Sequence, residues 1–192
     1  MTLPASRPKT SARDKILVAA VEIAHENGAG NLSLDAVAAR AGVSKGGLLY
    51  HFPSKAALMR AMVESFVARV EADLDETVRN GGNLLAAFVC VTGEECAKPV
   101  PGAAGVLAAI AEDPDFLRPV KVFQRRLLDR LQQGGANADD VLIIYLALEG
   151  LRSLRLFDLD VLTEDEQKRA LAAMRARAEK CCPPDGAASP QK

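Results

Sequence analysis

Apolar residues recur along most of this chain at spacings of three and four, the period of an α-helix, and no run of alternating β-branched residues bounded by turns marks a strand. The pattern predicts an all-α protein. A first helix runs from about Ser11 to Glu26, with Ile16, Leu17, Ala20, Ile23 and Ala24 on one face, and Asn27-Gly28 ends it. Gly28, Gly30 and Asn31 form the link to a second helix, whose apolar face is Leu34, Val37, Ala38 and Ala41. A long helix from Lys55 to about Arg79 carries Leu58, Met62, Phe66, Val70 and Leu74 at i+4, and Gly81-Gly82 breaks it. Residues 83–97 follow as a helix with Thr92-Gly93 as a possible weak point, Pro99–Pro101 as a loop, and 102–112 as a short buried helix. Pro114 fits the first turn of a helix over 114–133, which Pro119 would kink or delay. Residues 138–157 are apolar almost all round from Val141 to Leu148, the mark of a helix buried on most sides. Thr163-Glu164-Asp165-Glu166 fits a capping box that opens a last helix to about Lys180. The ends, 1–10 and 181–192, read as a disordered basic arm and a disordered tail.

Residues 33–55 carry the most chemistry. Ser33 can cap the second helix through its hydroxyl, Gly42 stands where a helix C-terminus needs a left-handed residue, and Val43 plugs the turn. Ser44 can cap a short helix from Lys45 to His51. Two helices joined by a three- to four-residue turn containing Gly form a helix-turn-helix, here about 33–52, whose second helix enters the major groove of DNA. Lys45 can donate to guanine O6 and N7. Gly46 and Gly47 disfavour a helix, and their benefit is close approach of the backbone to bases or sugar. Tyr50 and His51 supply donors on apolar bodies, while Ser33, Ser44 and Lys55 suit phosphate oxygens. Leu48 and Phe52 point inward as core, and His25 reads as helix capping or packing.

Composition sharpens this picture in two places. The net charge of −1 hides an uneven split: residues 1–60 hold eight Lys/Arg against four Asp/Glu, and the remainder sixteen against twenty-one. A basic head and an acidic body fit a DNA-binding end joined to something else. Cys90, Cys96, Cys181 and Cys182 form no recognisable disulfide framework, and with only His25 and His51 they miss zinc spacings, so no metal or cofactor is expected. Cys90 and Cys96 read as buried thiols in a reducing cytoplasm. No signal-peptide stretch or run of about 20 apolar residues is present, so no membrane partner is expected. Neither catalytically spaced carboxylates, nor a nucleophile with its base, nor a phosphate loop is found, which disfavours an enzyme.

The order "long helix, SLDAVAARAGVSKGGLLYHFPSKAAL, long connecting helix, acidic helical body" resembles the TetR family of bacterial transcriptional regulators. Ser33, Ala38, Gly42, Val43, Ser44, Gly46, Leu48, Phe52, Ser54, Lys55 and Leu58 carry the resemblance, which covers residues 11–71 and continues beyond them only as architecture. It implies a DNA-binding domain over 11–71 and a ligand-binding and dimerisation domain over 72–180. Many members place a Tyr directly after the position of Leu48; here Leu49 stands there, and its phosphate or thymine contact can pass to Tyr50 or His51. The expected DNA-binding set is therefore Ser33, Ser44, Lys45, Gly46, Gly47, Leu49, Tyr50, His51 and Lys55. The resemblance further implies a homodimer through about 138–157 and 163–180, and a small-molecule effector in the body. Met62, Phe66, Phe88, Cys90, Val106, Phe123 and Tyr145 are the candidate pocket positions, being bulky or polarizable on facing helices, and they suggest an apolar or amphipathic ligand. The expected function is a cytoplasmic, nucleoid-associated repressor released from a pseudo-palindromic operator by that ligand. The alternative is an architectural or chromosome-organising DNA binder on the same fold without an effector, which many scattered sites would reveal.

Overall fold

The structure, a computed structural model, describes residues 11–97, 109–111, 113, 115–134, 137–159 and 161–181. The basic arm, the tail beyond Cys181 and most of the short helix expected over 102–112, Val106 included, lie outside the described residues. Among the described residues every regular element is helical, as the periodicity predicts. The order is α1 (Ala12–Asn27), a 3-10 turn (Ala29–Asn31), α2 (Leu34–Ala41), α3 (Lys45–His51), α4 (Lys55–Arg79), α5 (Leu84–Ala97), α6 (Arg118–Gln133), α7 (Ala138–Leu156) and α8 (Glu164–Cys181).

Apolar side chains collect into two cores. The first joins Ile16, Leu17, Ala20 and Ile23 of α1 to Val37 and Ala38 of α2, Leu48 and Phe52 around α3, and Leu58, Met59 and Ala61 of α4. Ala109 and Phe116, from the stretch before α6, complete it. The second joins Val67, Val70 and Leu74 of α4 to Leu85, Phe88 and Val89 of α5, Phe123, Leu127 and Leu131 of α6, and Val141, Ile144 and Leu148 of α7, with Ala178 of α8. Burying each large side chain contributes about 1.5–3 kcal/mol, so each core supplies enough apolar burial to order the helices around it. Because α4 enters both cores, it is the strut between head and body. Ion pairs tie its outer face to the next layer: Arg60 to Asp113, Glu71 to Arg126, and Asp75 to Arg130. Half-exposed pairs of this kind add little stability, but they fix which helix faces lie opposite each other.

The packing corrects three expectations and decides between the two given for Pro119. The strict i+4 stripe on α4 does not hold: Phe66 is exposed and Met62 only partly covered, while Met59, Ala61 and Val67 are buried instead. A step of four residues overshoots a helical turn by about 40°, so the row leaves the first core by Phe66, and Val70 and Leu74 further along it meet the second core on another side of the helix. Pro119 delays α6 rather than kinking it, since the helix starts at Arg118 with the proline in its first turn, where its missing N–H is not needed. Thr92-Gly93 is no break. Helix α5 runs through it, Thr92 is fully buried, and a methyl on Gly93 would lie 3.3 Å from Leu171 of α8, so the pair is a close-packing point. Finally, α7 is not buried on most sides of one chain: Val141, Ile144 and Leu148 are covered, but Ile143 is 55% and Leu146 66% exposed.

Candidate nucleic-acid interface

The helix-turn-helix is assembled by caps written into the sequence. Gly42 ends α2 at φ 66°, ψ 35°, in the left-handed region that favours glycine, and its N–H returns to the Ala38 and Ala39 carbonyls. Ser44 opens α3, its hydroxyl accepting the Gly47 N–H at 3.0 Å. Ser54 does the same for α4 through the Ala57 N–H. Ser33 departs from this pattern, making no side-chain cap on α2. The three capping serines, Ser11, Ser44 and Ser54, have ψ between 155° and 165°, whereas Ser33 has ψ 129°, a rotation that carries its hydroxyl off the first turn. Its carbonyl still accepts the Val37 N–H, so the helix start survives on backbone bonds.

Helix α3 divides cleanly between core and solvent. Leu48 is fully buried and Phe52 nearly so, and the Arg13 guanidinium lies 5.3 Å over the Phe52 ring. Lys45, Gly46, Leu49 and Tyr50 face water, with Tyr50 85% exposed, and Gly47 and His51 sit half-covered between the two sides. The His51 ring meets the Tyr50 ring edge-on at 5.2 Å, giving the outer aromatic its one ring contact among the described residues. A methyl placed on Gly46 would meet nothing within 4 Å. No packing inside the chain therefore requires a glycine there.

The cations of the head are less free than the sequence implies. Lys45 Nζ lies 3.0 Å from the Asp35 carboxylate on α2. Arg40 spans Glu22 and Glu26 of α1, whose hydrogen bond from Arg40 holds the Glu26 carboxyl below its usual range. Lys55 Nζ donates to the Gly30 carbonyl at 2.9 Å, pinning the 3-10 turn to the start of α4. Asp35 was not singled out by sequence. Its side chain meets Lys45 only because Gly42 folds α3 back across α2, and a ten-residue separation carries no periodic signal.

Of the candidate pocket positions that are described, Phe88, Phe123 and Tyr145 meet in the second core, while Met62, Phe66 and Cys90 lie apart from them. Met62 packs against the head core and Phe66 is 40% exposed beneath the Arg69 guanidinium. Phe88 and Tyr145 stack at 6.1 Å, with Phe123 buried in the same core, as tight packing rather than cavity walls. A separate groove of about 510 Å³ opens between α4, α5 and α8, and of the expected positions among the described residues only Cys90 lines it. Burial raises the Cys96 thiol and the Tyr145 hydroxyl above their usual ranges, so both stay neutral. Among the described residues no cluster suited to a metal ion is present, and no helix is long and apolar enough to cross a membrane.

Residues 16–62 match the family described as bacterial regulatory proteins, tetR family, and residues 82–179, about half the chain, match the tetracyclin repressor-like C-terminal domain. No curated protein matches the chain. Among solved structures, a transcriptional regulator of Streptomyces coelicolor A3(2) is 21% identical, with 87% of this chain and 98% of that one covered at a TM-score of 0.62. A TetR-family member from Streptomyces coelicolor A3 is 24% identical over 85% and 98% of the two chains, at 0.59. A transcriptional regulator from Rhodococcus sp. Rha1 is 20% identical over 88% and 97%, at 0.60. At these identities the likeness is one of fold.

Proposed function

This chain belongs to the TetR family of bacterial transcriptional regulators, and we propose that it is a cytoplasmic, nucleoid-associated homodimeric repressor that leaves a pseudo-palindromic operator when a small molecule binds its body. The observation that carries the reading is the outer side of α3. A tyrosine 85% exposed, beside an exposed leucine and a bare glycine, is an apolar surface with no use inside the monomer. Seated in a major groove, the same side puts Lys45 against guanine, lets the Gly46-Gly47 backbone approach the duplex, and offers Leu49 to a thymine methyl. Tyr50 and His51 donate to phosphate oxygens. Ser33, Ser44 and Lys55 do so from the flanks, the Ser44 hydroxyl keeping its proton for this because it only accepts in its cap.

One head of this size holds DNA weakly, and two-fold dimers read half-sites a helical turn or a multiple apart. Helix α7 supports such a dimer: Leu142, Ile143 and Leu146 form an uncovered apolar face on the opposite side from its buried Val141, Ile144 and Leu148. Against a second copy, with α8 alongside, that face would be removed from water. The strut α4 offers the route from body to head, since a shift in the second core moves a helix that also holds Leu58, Met59 and Ala61. For release, the effector must bind the DNA-incompetent arrangement more tightly than the competent one.

The test is titration of the full chain against the duplex upstream of its own gene and against random duplex, across a range of salt. Preferential binding at two protomers per site, weakened by Lys45→Ala and Tyr50→Phe without loss of helicity, is the expected result. Equal affinity for both duplexes at every salt concentration would count against a specific repressor and for an architectural DNA binder.

A further inference from the structure

The groove between α4, α5 and α8 has a floor and a rim of opposite character. Ala86, Ala87 and Val91 of α5 make its floor, and their small side chains leave it wide. Carboxylates stand at its edges: Asp73 from α4, Glu94 from α5 and Glu179 from α8. The one cation among its described lining residues, Arg175, lies 3.0 Å from Glu179 and is matched by it. Asp73 and Glu94 are left, and among the described residues neither carboxylate has an ion-pair or hydrogen-bond partner. Two uncompensated negative charges therefore face an apolar hollow of about 510 Å³, within the range of pockets that hold small organic molecules.

We propose that this groove is the effector site and that it takes an organic cation with an apolar body, held between Asp73 and Glu94 over the alanine floor. The inference rests on the regulator reading above. A bare metal ion does not fit, because no group of three ligating side chains comes together among the described residues. Anions are repelled, since the only guanidinium among the described lining residues is already engaged. A bulky cation satisfies both features at once, covering Ala86, Ala87 and Val91 while its charge sits in the field of the rim. The position also supplies a route to DNA. Asp73 lies on α4 next to Leu74 and about one turn from Val70 of the second core, so a ligand drawing α4 toward α5 and α8 acts on the helix that holds the head. Gly82 sets the wall on that side: a methyl there would come within 2.6 Å of Thr77, so the turn after α4 is built to pass close beneath the groove's end.

Tetraphenylphosphonium and tetraphenylborate, alike in size and shape and opposite in charge, provide the test. Calorimetry on the full chain at low salt is expected to show saturable binding of the cation, one per protomer, and none of the anion. The pair Asp73→Asn/Glu94→Gln should weaken the cation by about twofold to thirtyfold, the scale of two solvent-exposed ion pairs. Glu64→Gln/Asp165→Asn, removing two carboxylates elsewhere, should leave it unchanged. In a parallel titration the cation should weaken binding to the upstream duplex. Equal affinity for both ions, an unchanged affinity in the groove variant, or a bound cation that leaves DNA binding untouched would each overturn the proposal. Ligand-free protein that binds the upstream duplex while ignoring the cation refutes the groove alone. Cation binding that depends on Asp73 and Glu94 in a protein that never prefers the duplex refutes the regulator reading instead.

Discussion

Gly46→Ala separates what folding wants from what DNA wants. Glycine in a helix is less favourable than alanine by about 0.5–1 kcal/mol, because its unfolded chain has more freedom to lose. At Gly46 nothing offsets that gain: the added methyl meets no atom within 4 Å and the backbone is not in the left-handed region. The variant should therefore be more stable, with a melting temperature raised by about 1–4 °C in a chain of this size. If the Gly46 backbone lies against the duplex, the same methyl occupies the space of a base edge or sugar. Disturbing one such contact costs about 1–3 kcal/mol, or roughly five- to hundredfold in operator affinity. Urea denaturation and fluorescence anisotropy on a labelled operator, run on one preparation, read the two effects side by side. Gly47→Ala is the internal comparison. Its methyl falls 3.3 Å from the Ser44 hydroxyl that caps the Gly47 N–H, so its stability gain should be smaller or absent. A Gly46→Ala protein that gains stability and binds operator undiminished would show that α3 does not approach DNA along this side.

Asp35→Asn frees Lys45 from its ion pair and should tighten binding to random duplex by up to about fivefold at low salt, the scale of an exposed pair, with the gap closing as salt rises; an unchanged affinity would mean that the pair does not restrain Lys45. Leu146→Glu places a charge in the middle of the uncovered face of α7 and should yield folded monomers by sedimentation, whereas a persistent dimer would move the interface elsewhere. The Asp113 and Asp140 carboxyls are held below the usual carboxylate range, by the Arg60 and Arg177 guanidiniums respectively, with the Cys181 thiol adding to the second. Their folded forms bind protons less readily than the unfolded chain, so the stability they contribute is complete above the unfolded carboxyl range, near pH 4, and is lost as pH falls through the lowered folded values. The urea midpoint should drop over that window, and Asp113→Asn should make the drop shallower; an unaltered profile would remove the Arg60 pair from the account.

Local signals were legible wherever one short segment decides the outcome. The Gly42 turn, the Ser44 cap, the reciprocal Thr163–Glu166 bonds and the buried face of α1 all follow from residues within a few positions of one another. What sequence could not supply is which face of a long helix meets which partner. On α4 the buried face turns slowly as the helix passes from one core to the other, so Phe66 falls outside although its spacing looks right. The bulky candidate positions Phe88, Phe123 and Tyr145 went into the core for a related reason. Bulky residues on facing helices pack against each other, as Phe88 and Tyr145 do, while a hollow forms where small residues such as Ala86 and Ala87 meet. Size marked the core, and the groove was marked by its absence. Ser33 shows the finest limit, since 26–36° of ψ separates a serine that caps from one that does not.

The head core is not made only by the head. Phe116, 3% exposed, and Ala109 reach it from the far side of α5, more than forty residues after the last helix-turn-helix residue, and Arg60–Asp113 fastens the same stretch. Chain order and folding unit thus disagree. A fragment cut after α4 would carry an aromatic-sized void in its interior, at a cost of about 3–5 kcal/mol if Phe116 behaves as buried phenylalanines do. Anyone grafting this reader onto another sensor should move the 109–116 stretch with it, since the seam between the two halves runs through the third dimension and not along the sequence.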